Sequence, residues 1–433
     1  MDIKLNPGIN FSSKSEYKNV HSYINEKRML DTFIKAVKVD TASDEDLSDI
    51  KCPTTDSQLI LAKNLAEELK DIGLSDVEID DNGFLTAVLP SNIENAPTVG
   101  FLAHMDTSPD CKSGPVKPIV HNYKGGDIKL NGVTIKEDEL KKYKDHTIIT
   151  SDGTTLLGGD DKAGIAEIIE ALRVFMEHPE LKRPEIKIAF TPDEELGTGI
   201  EHFDIDKFRA DVAYTVDGTN PDSVDTETFN AYNPIIKIKG VPTHYGFAYG
   251  KMINSILIAN DLINMLPKNE TPETTKEKEG YYCVDKISGG PEETRVKLVV
   301  RDFDADRMSE RLNFVENVVE ELRKKYPEAE IQYNENPVYK NMKTYIEKTP
   351  EIIKYTKEGL KLSGFVPKQT YIRGGTDGAD ISSRGLPCPN IGSGEINFHS
   401  RKELVSLEVM KKCCENILNI AQVWANEKNP FNK

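Results

Sequence analysis

Basic residues are in short supply in this chain: 55 Lys and Arg stand against 72 Asp and Glu, a formal net charge of −17. A nucleic-acid binder needs a positive footprint, so this balance excludes that class of partner. No stretch approaches the roughly 18 consecutive apolar residues of a membrane helix, so no membrane partner is expected either. The opening residues, Met1 to Gly8, carry no basic region followed by an apolar core, and no export signal is expected from them. The six cysteines, Cys52, Cys111, Cys283, Cys388, Cys413 and Cys414, form no C-x-x-C pair. That scatter fits neither a cysteine zinc site nor a disulfide framework, and packing cysteines in a cytoplasmic chain are the expectation.

What is present is enough apolar sequence, in 433 residues, for more than one hydrophobic core. Residues 1–25 are polar and turn-rich and read as an extension. Met29, Leu30, Phe33, Ile34 and Val37 then recur at helical spacing, and a second amphipathic helix is expected over 56–72. Residues 77–89 read as two strands joined at Asn82-Gly83. Strands over 98–103, 186–190 and 212–216 alternate with helices over 163–177 and near 205–208. This rhythm implies an α/β sheet with its ligands at the carboxyl ends of the strands.

Past Thr219 the order becomes β-α-β-β-α-β: strand 233–238, helix 254–266, strands 283–287 and 296–302, helix 307–325, strand 331–333. That is the order of a ferredoxin-like α+β unit. Helical spacing resumes near Thr349, and a closing helix is expected over 403–427. The fold expected is an α/β catalytic domain, 1–230 and 346–433, interrupted by a smaller α+β domain at 231–345.

The chemistry-bearing residues gather after the α/β strands. Glu194 and Glu195 are adjacent, and two neighbouring carboxylates at a strand end make sense if one holds a metal and the other acts as general base. His104 and Asp106 follow the strand 98–103; His104 can ligate zinc through one ring nitrogen while Asp106 accepts from the other. Taken alone, H-x-D is common and more often the pattern of a capped surface turn. Asp160 and Asp161 follow a Gly-Gly pair and precede a helix, where acidic residues often serve only as caps. A carboxylate there is also suited to bridge two metals about 3.5–4 Å apart. Asp217-Gly218 closes a third strand, and His399 stands near the C-terminus. Each has a bland reading, as turn, cap or surface histidine; their joint occurrence favours a two-metal hydrolase.

Seven motifs carry a closer likeness: His104-Met-Asp-Thr-Ser-Pro-Asp110, Leu156 to Gly164, Phe190 to Gly197, Tyr214-Thr-Val-Asp-Gly218, Arg373 to Gly378, Leu386-Pro-Cys-Pro-Asn390 and Asn397-Phe-His399. From about residue 27 onward the chain resembles the aminotripeptidase branch of the di-zinc exopeptidase family, which also contains succinyl-diaminopimelate desuccinylase and acetylornithine deacetylase. The resemblance implies one metal on His104, Asp160 and Asp217 and another on Asp160, Glu195 and His399. It makes Glu194 the general base, Asp106 the partner of His104, and the Asp160–Asp161 bond cis. His244 matches the family's histidine in the inserted domain and is the candidate oxyanion donor. Arg373 is the candidate clamp for a peptide carboxylate. The chain departs from the family at Tyr249 (a lysine there), Thr219, Glu395 and Ser400 (glycines there), so the substrate rim is less well specified than the metal set.

The function implied is a metal-dependent aminopeptidase releasing the N-terminal residue from short peptides, tripeptides first among them. Two zinc ions are the expected cofactor, with cobalt or manganese as substitutes. The alternative on the same residues is an amidase or deacylase of N-acyl amino acids, or a dipeptidase. A homodimer through the sheet edge of the inserted domain is compatible with the sequence.

Overall fold

Apolar runs alternating with amphipathic segments give this chain its layers. A computed structural model describes residues 17–431. It divides into a larger unit, comprising the residues up to Thr226 with Met342–Thr370 and Thr376–Lys433, and a smaller one, Glu227–Asn341 with Tyr371–Gly375.

The larger unit is built on an eight-stranded mixed sheet. Its order is Ser75–Ile79, Leu85–Leu89, Glu185–Thr191, Thr98–His104, Val212–Val216, Asn390–Ile391, Ser223–Asp225 and Lys368–Thr370. Thr98–His104 runs parallel to both Glu185–Thr191 and Val212–Val216, and Asn390–Ile391 is parallel to the latter. The carboxyl ends of these strands therefore share one edge, which brings together segments far apart in sequence. The long helices Gly159–Glu177, Pro350–Leu362 and Leu407–Asn426 pack against one another or the sheet.

Gly164 is required where the Gly159–Glu177 helix crosses the sheet: a Cβ there would come within 2.1 Å of the Val216 carbonyl oxygen. Gly158 caps the same helix at φ +78°, a left-handed conformation that glycine adopts without penalty. The Asp160–Asp161 peptide bond is cis, and both residues depart from helical φ/ψ.

Several expectations need revision. The hairpin at 77–89 closes through a five-residue loop rather than a two-residue turn, because Ile79 pairs with Leu85. Asp80 Oδ1 organises that loop by accepting from the N–H groups of Asn82 and Phe84. The closing helix begins at Leu407, not at 403, since Leu404–Ser406 pairs with Thr147–Thr150 in a separate three-stranded sheet. Residues 17–25 are no loose extension: Val20 and Ile24 are buried, and Lys18 N–H donates to Gln422 Oε1. The rest of the expected extension lies outside the described residues.

In the smaller unit, Glu293–Asp302 pairs antiparallel with Tyr281–Gly289 on one side and with Ile235–Lys239 and Asn230–Tyr232 on the other. Helices Ser255–Met265 and Ala305–Lys325 complete the expected β-α-β-β-α-β order. Ile236, Ile258, Leu262, Val296, Leu298, Val315 and Leu322 form its core. Each such side chain contributes about 1.5–3 kcal/mol on burial.

Candidate metal centre

Strand ends, one helix start and a turn near the C-terminus supply the site. His104 is the last residue of its strand and its side chain is only 2% exposed. Its Nε2 lies 2.7 Å from Asp160 Oδ1 and 3.9 Å from Asp217 Oδ1. On the far side of Asp160, His399 Nε2 stands 3.6 Å from Oδ2 and 2.8 Å from Glu195 Oε2. The two oxygens of one carboxylate thus face two different histidines.

Glu194 and Glu195 open a short 3-10 turn after the Glu185–Thr191 strand. Asp106, fully buried, binds that turn directly: its Oδ1 accepts from Glu194 N–H at 3.0 Å and its Oδ2 from Glu195 N–H at 3.2 Å. Asp193 precedes the pair in a left-handed conformation, and its carboxylate accepts from Thr54 N–H at 2.7 Å and Gln58 Nε2 at 2.7 Å. Asp217 is held by Asn390, whose Oδ1 accepts from Asp217 N–H at 3.2 Å while its Nδ2 donates to Asp217 O at 2.9 Å.

The electrostatics are those of crowded carboxylates. Burial, then the charge of Asp160, pushes Glu195 up to about 7, and burial raises Glu194 and Asp217 well above the usual carboxylate range. Asp160 goes the other way: burial opposes its charge, but His104 and His399 outweigh that and hold it low. For His399 burial again opposes the charge, and Asp160 and Glu195 outweigh it, lifting the imidazole to about 11.

This donor set fits divalent cations. Ligand atoms of His104, Asp160 and Glu195 lie within 4.8 Å of one another, as do those of His104, Glu194 and Asp217. Glu195 Oε1 is buried without a hydrogen-bond partner among the described residues, as a ligand oxygen would be. Oxygen and imidazole donors suit zinc, cobalt or manganese.

Of the residues singled out in the sequence, the structure brings together His104, Asp106, Asp160, Glu194, Glu195, Asp217 and His399 in the larger unit. His244 and Arg373 belong to the smaller one. His244 caps a 3-10 turn, its Nδ1 accepting from Gly246 N–H at 3.2 Å. The boundary expected at 345 puts Arg373 in the catalytic part, whereas Tyr371–Gly375 clusters with the smaller unit. Its guanidinium donates to the carbonyls of Glu277 and Glu279 and to Thr275 Oγ1, and it stacks over Phe229 and Tyr281. Glu395, where the resembling family has glycine, is buried and accepts from Ser393 Oγ.

Two carboxylates at the site were not among the candidate site residues: Glu403, and Asp110, which closes the first of the seven motifs. The Glu403 carboxylate accepts from Leu157, Gly158 and Asp160 N–H at 2.7, 2.9 and 3.0 Å, and so shapes the loop that presents Asp160. Asp110 Oδ2 lies 3.0 Å from His399 Nδ1. Neither contact has a local signature; an acidic residue after a turn is the only signal available.

Comparison with known proteins fits this geometry. The peptidase dimerisation domain of the M20 peptidases matches residues 226–330. Peptidase T of Caldanaerobacter subterraneus subsp. tengcongensis is 45% identical over 408 residues, covering 92% of this chain and 99% of the relative. Peptidase T of Bacillus subtilis is 45% identical over 405 residues, covering 92% and 98%. The crystal structure of aminopeptidase PepT from Bacillus cereus superposes with a TM-score of 0.72 at 23% identity, over 93% of this chain and all of that one, and shares the fold. With such identity to curated relatives over nearly its whole length, the chain belongs to the peptidase T family.

Proposed function

We propose that the chain is a metal-dependent aminopeptidase that releases the N-terminal residue from tripeptides, with two zinc ions as its cofactor. The observation that carries this is Asp160, whose two oxygens face His104 and His399 with the Glu194–Glu195 turn beside them. His104, Asp160 and Asp217 would hold one ion, and Asp160, Glu195 and His399 the other. When bound, such a pair supplies Lewis acidity to water and to the scissile carbonyl.

The chain's own groups do the rest. Glu194 accepts a proton as the water oxygen bonds to the carbonyl carbon. It returns that proton to the amine as the C–N bond breaks, so no proton is lost or gained. Asp106 keeps the His104 ring oriented and ties it to the glutamate turn. His244 donates to the developing oxyanion, and Arg373 meets the peptide's carboxylate after exchanging its contacts with the 277 and 279 carbonyls.

The dimerisation-domain match supports a homodimer through the smaller unit. Its strand Tyr281–Gly289 pairs with only one neighbour among the described residues and exposes Ile287. No helix among the described residues is long and apolar enough to cross a membrane, and the six cysteines are free, which supports a cytoplasmic address.

A panel of di-, tri- and N-acetylated peptides, run on metal-stripped protein with and without zinc, cobalt or manganese, tests the reading. Metal-dependent cleavage of tripeptides that requires a free α-amine is expected. Preference for a blocked amine would replace the peptidase with a deacylase.

A further inference from the structure

Each metal-centre histidine has a second ring nitrogen, and what faces it decides which nitrogen is free to bind a cation. His104 Nδ1 is met by the Asp106 backbone oxygen at 3.1 Å and by Asp106 Oδ1 at 3.3 Å. His399 Nδ1 is met by Asp110 Oδ2 at 3.0 Å and Ser108 Oγ at 3.3 Å. A carboxylate oxygen is an acceptor, so Asp110 is placed to take the hydrogen bond of Nδ1–H. That leaves Nε2, the atom that points at Glu195 and Asp160, as the nitrogen placed to meet a cation.

The backbone does not fix His399 by itself. It adopts φ +56°, an uncommon left-handed conformation for a non-glycine residue, and its side chain is 34% exposed. Contacts from elsewhere must hold the ring, and on its Nδ1 side the 108–110 turn is what reaches it. That turn is itself fastened, since Asp110 N–H donates to Ser108 Oγ at 3.3 Å.

We propose that Asp110 is the positioning residue of His399, fixing the tautomer and orientation of the ring and thereby the affinity of the metal position that His399 serves. One loop, from His104 to Asp110, then carries the carboxylates behind both histidines. This inference rests on the metal-ligand reading of His399.

Metal-stripped protein titrated with cobalt(II) against a competing chelator, read by visible absorption, separates the two ideas. The wild type should bind in two steps, and His399→Ala should abolish one of them, which identifies it. Asp110→Ala should weaken that same step about tenfold, at the low end of the effect of removing such an outer carboxylate because Asp110 is 68% exposed. The other step and the melting temperature of the metal-free protein should not move. Asp110→Asn, which keeps an accepting oxygen, should lose less. Equal weakening of both steps by Asp110→Ala, or no weakening of either, overturns the positioning role. A single binding step in the wild type overturns it together with the two-metal reading.

Discussion

His104 ends a strand in the middle of the main sheet and is almost wholly buried, whereas His399 sits on a turn with φ +56° and a third of its side chain open to solvent. Behind His104, Asp106 is fully buried and shares its oxygens with two backbone N–H groups. Behind His399, Asp110 is mostly exposed. The difference teaches that one half of the centre is part of the folded core and the other is added at its rim. Substitutions on the His104 side should therefore disturb fold and chemistry together, and those on the His399 side mainly metal affinity.

The largest effect should come from Glu194, which hangs on Asp106 through its backbone but offers its side chain to the site. Its carboxylate stands close to His104 and Asp217, a position that suits either a ligand or a base. Glu194→Gln should keep both metals and lose a factor of about 10²–10⁴ in kcat, the usual contribution of a general base. Glu195→Gln should instead lower occupancy of the position shared with His399. Elemental analysis beside turnover decides: metal loss in Glu194→Gln with full activity per remaining metal would exchange the two roles.

Next in size is a stability difference. Asp106→Ala leaves the N–H groups of Glu194 and Glu195 without their acceptor, while the His104 ring nitrogen keeps the backbone oxygen of residue 106. At about 1–3 kcal/mol for a buried unsatisfied group, a destabilisation of at least ~2 kcal/mol is expected. Asp110→Ala should cost less than ~0.5 kcal/mol in the same denaturant titration of metal-free protein, since solvent can replace an exposed acceptor. Equal losses at the two positions would erase the distinction between core half and rim half.

Much of the core half was legible in the sequence for a physical reason. Strands buried on both faces read as apolar runs, so 98–103, 186–190 and 212–216 stand out, and parallel pairing places whatever follows them at one edge. His104, Glu194, Glu195 and Asp217 could be gathered on that basis. The rim half rests on contacts between distant segments. Asp110 and His399 are 289 residues apart and Glu403 is 243 from Asp160, and nothing periodic marks either partner. Arg373 departs from the expected boundary for the same reason: Tyr371–Gly375 rejoins the smaller unit through tertiary contacts that leave no local pattern. The sheet formed by 119–122, 147–150 and 404–406 also went unread, its exposed edge strand carrying no clean alternation.

The smallest effect should lie at Tyr249, whose side chain is fully exposed in the smaller unit. The resembling family has a lysine there. Tyr249→Lys removes no buried contact, so melting should be unchanged. A unit charge attracts a carboxylate about 4 Å away by about 1 kcal/mol in water. KM for a tripeptide should therefore fall no more than about fivefold, with kcat unchanged, and the gain should fade as salt rises past ~0.15 M. The same variant should do nothing for a C-terminally amidated peptide, which has no carboxylate to attract. An equal gain on the amidated peptide would mean that the aromatic side chain, not the missing cation, is what distinguishes this rim.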